Sequence, residues 1–233
     1  YKHNIIIKKS FVDGIEFLRG ESLKETDLSK MIVSYSDHLA YNYNNDVGSF
    51  EDFKHIVVAP GYNFTTHHWE EGFDAAGVSL GNHRNKDNVI QGFNQVVLDI
   101  DSGTTLKSAQ ELLKDYTYLM YTTKRHRTPG HGDRFRIILP TSHVCKLNAV
   151  DYSKFMENVF EWLPFAVDTG TKDIARKWEC NPDAEIFTND GKLLDVMDFI
   201  PQTKKAEEML TARQAISSMS NLEAWFYKSV GEG

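Results

Sequence analysis

The sequence is poor in the features that assign a protein most quickly. It has two cysteines in 233 residues, Cys145 and Cys180, far apart and in no C-x-x-C pair. That excludes a Cys-rich zinc site and a disulfide framework, and it suits a reducing cytoplasm. No apolar run approaches the roughly 20 residues that cross a bilayer, and no secretory signal opens the chain, so no membrane partner is expected. There is no internal repeat and no low-complexity linker. The chain lacks an initiator Met and stops on "SVGEG", as expected of a piece of a longer protein. An excess of basic residues is also missing. The formal net charge is -7, which argues against a nonspecific coat on nucleic acid.

What is present is an ordinary globular composition, 41% hydrophobic and 25% charged. It suits one large domain or two small ones with a proper core. The cations are unevenly placed. Residues 124–136 carry five Lys/Arg and two His against one acid, Asp133.

Residues 4–9 ("NIIIKK") read as a first strand, and residues 35–52 are polar and aromatic without clear period. Residues 55–60 ("HIVVAP") read as a buried strand closed by Pro-Gly. "NQVVLDID", ending at Asp101, is a continuous apolar run of the kind buried on both faces. It leads into "SGTTLKSAQELLKDY", where Leu106, Ala109, Leu112 and Leu113 keep helical spacing behind a cap at Thr104 or Thr105. This strand–turn–helix puts two carboxylates at the carboxyl end of the strand, where open α/β sheets place ligands. "YTYLMYTT" and "RFRIILP" are further strands, the second ended by Pro140. The polar loop between them lets them pair. "DYSKFMENVFEWL" is an amphipathic helix with Phe155, Met156, Val159, Phe160 and Leu163 inward. Asn189-Asp190-Gly191 predicts a hairpin turn. The class is mixed α/β, with paired antiparallel strands late in the chain.

Asp99 and Asp101 are i and i+2 and share one side of a strand. Two like charges there repel, and burial sharpens the conflict. A divalent cation resolves it, and all-oxygen ligands favour Mg²⁺ or Mn²⁺. Arg134 and Arg136 also alternate along one side of their strand, and guanidinium forks match phosphate oxygens. A metal pair beside a cation cluster is the equipment for a nucleoside triphosphate. Asp168 again follows apolar residues; it is read either as a third carboxylate or as a helix N-cap. Lys172 and Arg176 lie four apart, the spacing of one helical turn. His83, Arg84 and Lys86 read equally as template contacts or solvated surface. The adjacent His67 and His68 beside an exposed-looking Trp69 do not read as a shared metal site.

The order of these parts resembles the archaeo-eukaryotic primase (AEP) superfamily, most closely the primase-polymerase (PrimPol) modules of phages, prophages and plasmids. "LDID" is similar to motif I. "YTTKRHRTPGHGDRFRIILP" is similar to the motif II strand and the Arg-Phe-Arg strand after it. "VDTGTKDIAR" is similar to motif III, and the basic lead-in "GNHRNKDNVIQGFNQ" is like that of phage primases. The resemblance covers about residues 81–178. It departs from the family at Lys124, where a small residue, commonly Ser, is usual. It implies an AEP-like core with an RRM-like mixed or antiparallel sheet flanked by helices, over residues 1–200, and a helical C-terminal segment over 201–233. It further implies template-directed nucleotidyl transfer, as a DNA primase or polymerase of phage or plasmid replication. Asp99, Asp101 and Asp168 would hold two Mg²⁺ or Mn²⁺ ions. His126, Lys124, Arg134, Arg136, Lys172 and Arg176 would bind the NTP or dNTP. The partners implied are single-stranded DNA template and primer, and a helicase domain or subunit, in the cytoplasm of a host cell.

Three other readings compete. "LDIDSGTTL" resembles the nucleophile motif of haloacid-dehalogenase-like phosphatases, with Asp99 as nucleophile, although Ser102 displaces the expected Gly. A nucleotide-sugar glycosyltransferase also uses Asp-x-Asp but leaves the Arg-Phe-Arg strand and His126 unexplained. A non-catalytic single-strand or origin-binding module is the third.

Overall fold

The computed structural model describes residues 24–201, of which residues 24–196 belong to one compact unit. The strand expected over 4–9 and, past residue 201, the helical segment expected over 201–233 lie outside the described residues.

β1 (Lys24–Glu25) precedes an antiparallel pair, β2 (Met31–Asp37) and β3 (Asn44–Gly48), in which Met31 faces Gly48 and Tyr35 faces Asn44. β2 buries Met31 and Val33, whereas β3, "NNDVG", is an exposed edge. Its residue types are depleted from strands, which hid β3 in the 35–52 stretch. The strand expected over 55–60 is instead the end of a helical turn, α1 (Phe53–Ile56). The Asp52 carboxylate accepts hydrogen bonds from the Ser49 backbone and hydroxyl, each at 2.7 Å, and starts the turn. Phe53 and Val57, four apart, are then fully buried. A short apolar run does not by itself separate a strand from a buried helical turn.

β4 (Tyr62–Thr65) pairs with β2, and β5 (His68–Trp69) with β6 (Val89–Ile90). Trp69, expected to be exposed, is completely buried. Its indole N–H donates to the Ser34 and Thr65 hydroxyls at 2.9 and 3.0 Å, satisfying the polar end of the ring. Arg84 is drawn into structure rather than solvent. Its guanidinium lies 5.9 Å from the Tyr43 ring and donates to the Ala175 carbonyl.

β7 (Phe93–Ile100) is buried at every position, as the apolar run requires. α2 (Leu106–Leu112) follows, and Thr105 is its cap, accepting from the Ser108 N–H at 3.1 Å. β8 (Tyr118–Thr122) and β9 (Phe135–Cys145) pair as expected. β9 does not end at Pro140 but continues to Cys145. Pro140 sits where the β7–β9 register shifts between Phe93 and Gln95, an irregularity at which a missing N–H is tolerated. β7 and β9 are antiparallel, so Asp99 lies beside the start of β9 rather than in the crevice of a parallel sheet.

α3 (Ala149–Trp162) is capped by Asn148 and buries Tyr152, Phe155, Met156 and Val159. Phe93 meets Tyr152 and Phe155 edge to face, with ring centroids 5.1 and 5.4 Å apart. Phe160, expected inward, is half-buried. β10 (Trp178–Glu179) joins β4, and β11 (Ile186–Asn189) joins β8. The hairpin expected around Asn189–Gly191 does not form; the chain goes on to bridge Tyr116 and Thr141. Gly191 is needed for close approach. A Cβ there would come 2.5 Å from the Asp115 carbonyl oxygen.

The result is a mixed α/β fold with antiparallel sheets and few helices. One sheet runs β1-β9-β8-β11 with β7 on β9, and the other runs β10-β4-β2-β3. Met31, Val33 and Phe64 of the second sheet and Val97, Leu119 and Ile138 of the first form one core. Among the described residues no helix is long and apolar enough to cross a membrane.

Candidate nucleotide-binding site

The antiparallel register sets the site. Asp99 on β7 is the direct cross-strand partner of Arg136 on β9. Arg136 Nε donates to Asp99 Oδ1 at 3.2 Å, and one step along the ribbon Arg134 Nη1 donates to Asp101 Oδ1 at 3.0 Å. The two same-side pairs foreseen in each strand thus face each other, carboxylate to guanidinium.

Asp99 is only 6% exposed. Burial pushes its pKa up; Arg136 pulls it down, Asp101 pushes it up again, and Arg176 acts with Arg136. Burial wins over the ion pair. Arg136 is held on several sides. It donates to the Glu179 carbonyl at 2.8 Å and the Tyr121 hydroxyl at 3.2 Å, and its guanidinium lies 5.4 Å from the Trp178 ring centre. Burial opposes its charge, but Tyr121 and Asp99 outweigh that and raise its pKa. The Tyr121 phenol is pushed up to about 12 by burial, against the pull of Arg136, so it stays a neutral partner.

The Asp168 side chain takes the capping role, and only its backbone reaches Asp99. Its backbone N–H donates to the Asp99 carbonyl at 2.9 Å, which docks this segment on the end of β7. Its carboxylate caps a 3-10 turn, Thr169–Lys172, accepting from the Gly170 N–H at 2.9 Å. Arg176 Nη2 stands 3.9 Å from Asp168 Oδ2 and also lies over the Trp178 ring, at 5.6 Å. Each of the three acids therefore has its own arginine.

Asp99, Asp101, Lys124, Arg134 and Arg136 line one cleft of about 370 Å³, together with Arg125, Glu179 and Asn181. Four cations face three carboxylates there, and Lys124 and Arg125 are exposed, without an ion-pair partner among the described residues. The loop behind the cleft is pinned by Asp133, which accepts from the Leu106 N–H at 2.7 Å and from Arg127 Nε at 2.8 Å. His126 is oriented by the same loop. Its Nδ1 lies 3.0 Å from the Arg134 backbone nitrogen and 3.2 Å from the Arg134 carbonyl oxygen, so it accepts from the one or donates to the other according to the ring's tautomer. Its Nε2 is buried without a hydrogen-bond partner. Lys172 is not brought to this cleft. The 3-10 turn ends at Lys172, so no helix joins it to Arg176. Its ammonium bonds Glu157 of α3 at 2.5 Å and lines a separate groove with Lys86 and Lys154.

Asp99 and Asp101 suit a divalent cation: both donors are hard oxygens, and one is buried beside a like charge. Among the described residues no three His, Cys, Asp or Glu are gathered closely enough to hold an ion, because the Asp168 carboxylate turns to its own cap. The sequence offered no sign of Glu179, Asn181 or Trp178, which arrive through the β10–β4 pairing. Arg125 was legible within the basic run.

No family model matches the sequence, and no curated protein matches it. Among solved structures, the AEP domain of a primase-polymerase from cyanophage S-2L is similar, with a TM-score of 0.41 and 11% sequence identity over 76% of this chain and 91% of that one. A likeness this loose assigns neither family nor activity, and the chemistry of the cleft has to carry the functional reading.

Proposed function

We propose that the chain carries out template-directed nucleotidyl transfer, as a DNA primase or polymerase module acting on single-stranded DNA. The observation that carries this reading is the register that sets Asp99 against Arg136, with Asp101 on Arg134 beside it. It joins a seat for cations and a seat for phosphates in one cleft. Asp99, Asp101 and Asp168 are the residues that would hold two Mg²⁺ or Mn²⁺ ions, which lower the pKa of an attacking hydroxyl and screen phosphate charge when bound. Asp168 would join by giving up its cap.

Arg134 and Arg136 present forks to the phosphates, Lys124 and Arg125 add point charges at the mouth, and Arg176 reaches in from the Asp168 side. His126 donates its Nε2 hydrogen to a phosphate oxygen. In the reaction, a bond forms from the primer 3′-oxygen to the α-phosphorus and the α–β bridge breaks. The 3′-hydroxyl proton passes to solvent, and pyrophosphate leaves with its charge held by the same cations. Lys172 has no part in this cleft. In a longer protein, a helicase domain or subunit would supply the single strand.

The test is primer extension and primer initiation on single-stranded template, with NTPs or dNTPs and Mg²⁺ or Mn²⁺. Asp99→Ala abolishes synthesis while circular dichroism shows the fold retained; normal synthesis by that variant sinks the reading. A phosphatase would instead release phosphate from small esters without template. The burial of Asp99 under Arg136 is a poor placement for a nucleophile that must meet phosphorus.

A further inference from the structure

A second cavity adjoins the charged cleft, and Cys180 lines both. It measures about 320 Å³ and is walled by Tyr35, His55, Ile56, Ala59, Tyr62 and Asn63. Topology makes the two cavities neighbours. Glu179 on the cleft is the cross-strand partner of Asn63 on the cavity. The Cys180 N–H donates to the Tyr62 carbonyl at 3.1 Å. Paired strands lie about 4.8 Å apart, a span one nucleotide bridges.

The lining suits a flat, aromatic group with a polar edge. The Tyr35 and Tyr62 rings meet at 61° with centroids 6.3 Å apart, and Tyr62 is 45% exposed. Neither phenol hydroxyl makes a hydrogen bond among the described residues, so both are available at the rim. Asn63 serves only as wall. Its side-chain oxygen accepts from the Tyr43 hydroxyl, and its amide donates to the Asp37 carbonyl at 2.6 Å. Burial pushes the Cys180 thiol up to about 12, so the partition is neutral. No Lys or Arg lines this cavity, which makes it a poor phosphate site but a suitable one for a ring that stacks.

We propose that the cavity seats the nucleobase of the nucleoside triphosphate whose phosphates occupy the cleft, so that the protein itself selects among bases before any template is bound. This rests on the phosphate-binding reading of the cleft, and the test separates the two. The chain is titrated calorimetrically with ATP, GTP, CTP, UTP and inorganic tripolyphosphate, with Mg²⁺ and without nucleic acid. At least one nucleotide binds about tenfold or more tighter than tripolyphosphate, in line with the strength of base–aromatic stacking. Tyr62→Ala and the surface change His55→Ala each reduce that advantage and leave tripolyphosphate binding unchanged; Ala59→Trp, which fills the cavity, abolishes it. Arg136→Gln weakens nucleotides and tripolyphosphate alike. Equal affinity for tripolyphosphate and all four nucleotides overturns the base site and leaves the phosphate cleft standing. So do cavity variants that melt like the parent and keep the full nucleotide advantage. Failure of the parent chain to bind any of the five overturns the cleft reading, and the base site with it.

Discussion

The two ends of β7 bury polar side chains for opposite purposes. At its start, Asn94 and Gln95 are completely buried, and their partners are backbone. Asn94 accepts from the Ile32 N–H and donates to the Lys30 carbonyl, each at 2.9 Å, while Gln95 donates to the Ile32 carbonyl at 2.7 Å. At its finish, Asp99 and Asp101 are charged, and their side chains pair with arginines. Neutral amides fixed to backbone tie β7 to β2, with Gln95 using only its N–H for this and leaving its buried side-chain oxygen without a hydrogen-bond partner among the described residues. Carboxylates matched to long, jointed cations are, in the function proposed, the ones that exchange those partners for metal and phosphate. Burial alone therefore does not mark a functional polar residue; the kind of partner does.

That contrast can be broken at either end. The largest effect is expected at the finish: Asp99→Asn lowers the synthesis rate by more than about a thousandfold, about 4 kcal/mol of barrier, with the melting temperature near that of the parent. Arg136→Ala removes nucleotide binding and costs about 3 kcal/mol of stability in urea unfolding, because it leaves Asp99 buried without its counter-charge. Away from both ends, His67 is fully buried, and burial lowers its pKa from 6.5 to about 3. Between those values the unfolded chain binds a proton that the folded chain refuses. Stability is therefore full above about pH 6.5 and falls by about 1.4 kcal/mol per unit below it, or about 2–3 kcal/mol at pH 4.5. His67→Phe, if it folds, flattens that slope in pH-dependent unfolding. At the start of β7, Asn94→Ala leaves two backbone groups unpaired and costs about 2 kcal/mol, without changing nucleotide affinity. A loss of affinity there, in a variant still folded at the assay temperature, breaks the contrast. The smallest effect is at Lys172→Ala, where nucleotide affinity stays within about twofold; a tenfold loss would bring Lys172 back to the site.

Long or strongly patterned elements were legible before the structure. The apolar run of β7, the spacing of α3 and the strand–loop–strand around residues 124–136 are local signals, and they hold. Elements whose reason is a distant partner were not. β3 is a strand because β2 runs beside it. Trp69 is buried because Ser34 and Thr65 meet its N–H. The chain passes Pro140 without breaking because the β7–β9 register shifts there. Gly191 serves a contact with Asp115 rather than a hairpin.

The site divides the same way. The sequence by itself determined the same-side spacing of Asp99 with Asp101 and of Arg134 with Arg136, since the two-residue repeat of a strand is a local property. The tertiary structure decided that the two pairs face each other, because register belongs to two strands and to neither alone. It decided that the segment of Asp168 docks on Asp99 while its carboxylate turns to a cap. It sent Lys172 to Glu157, and it placed an aromatic cavity one strand away from the charged cleft. Backbone pairing and the burial of charge set those outcomes, and both depend on residues far apart in the chain.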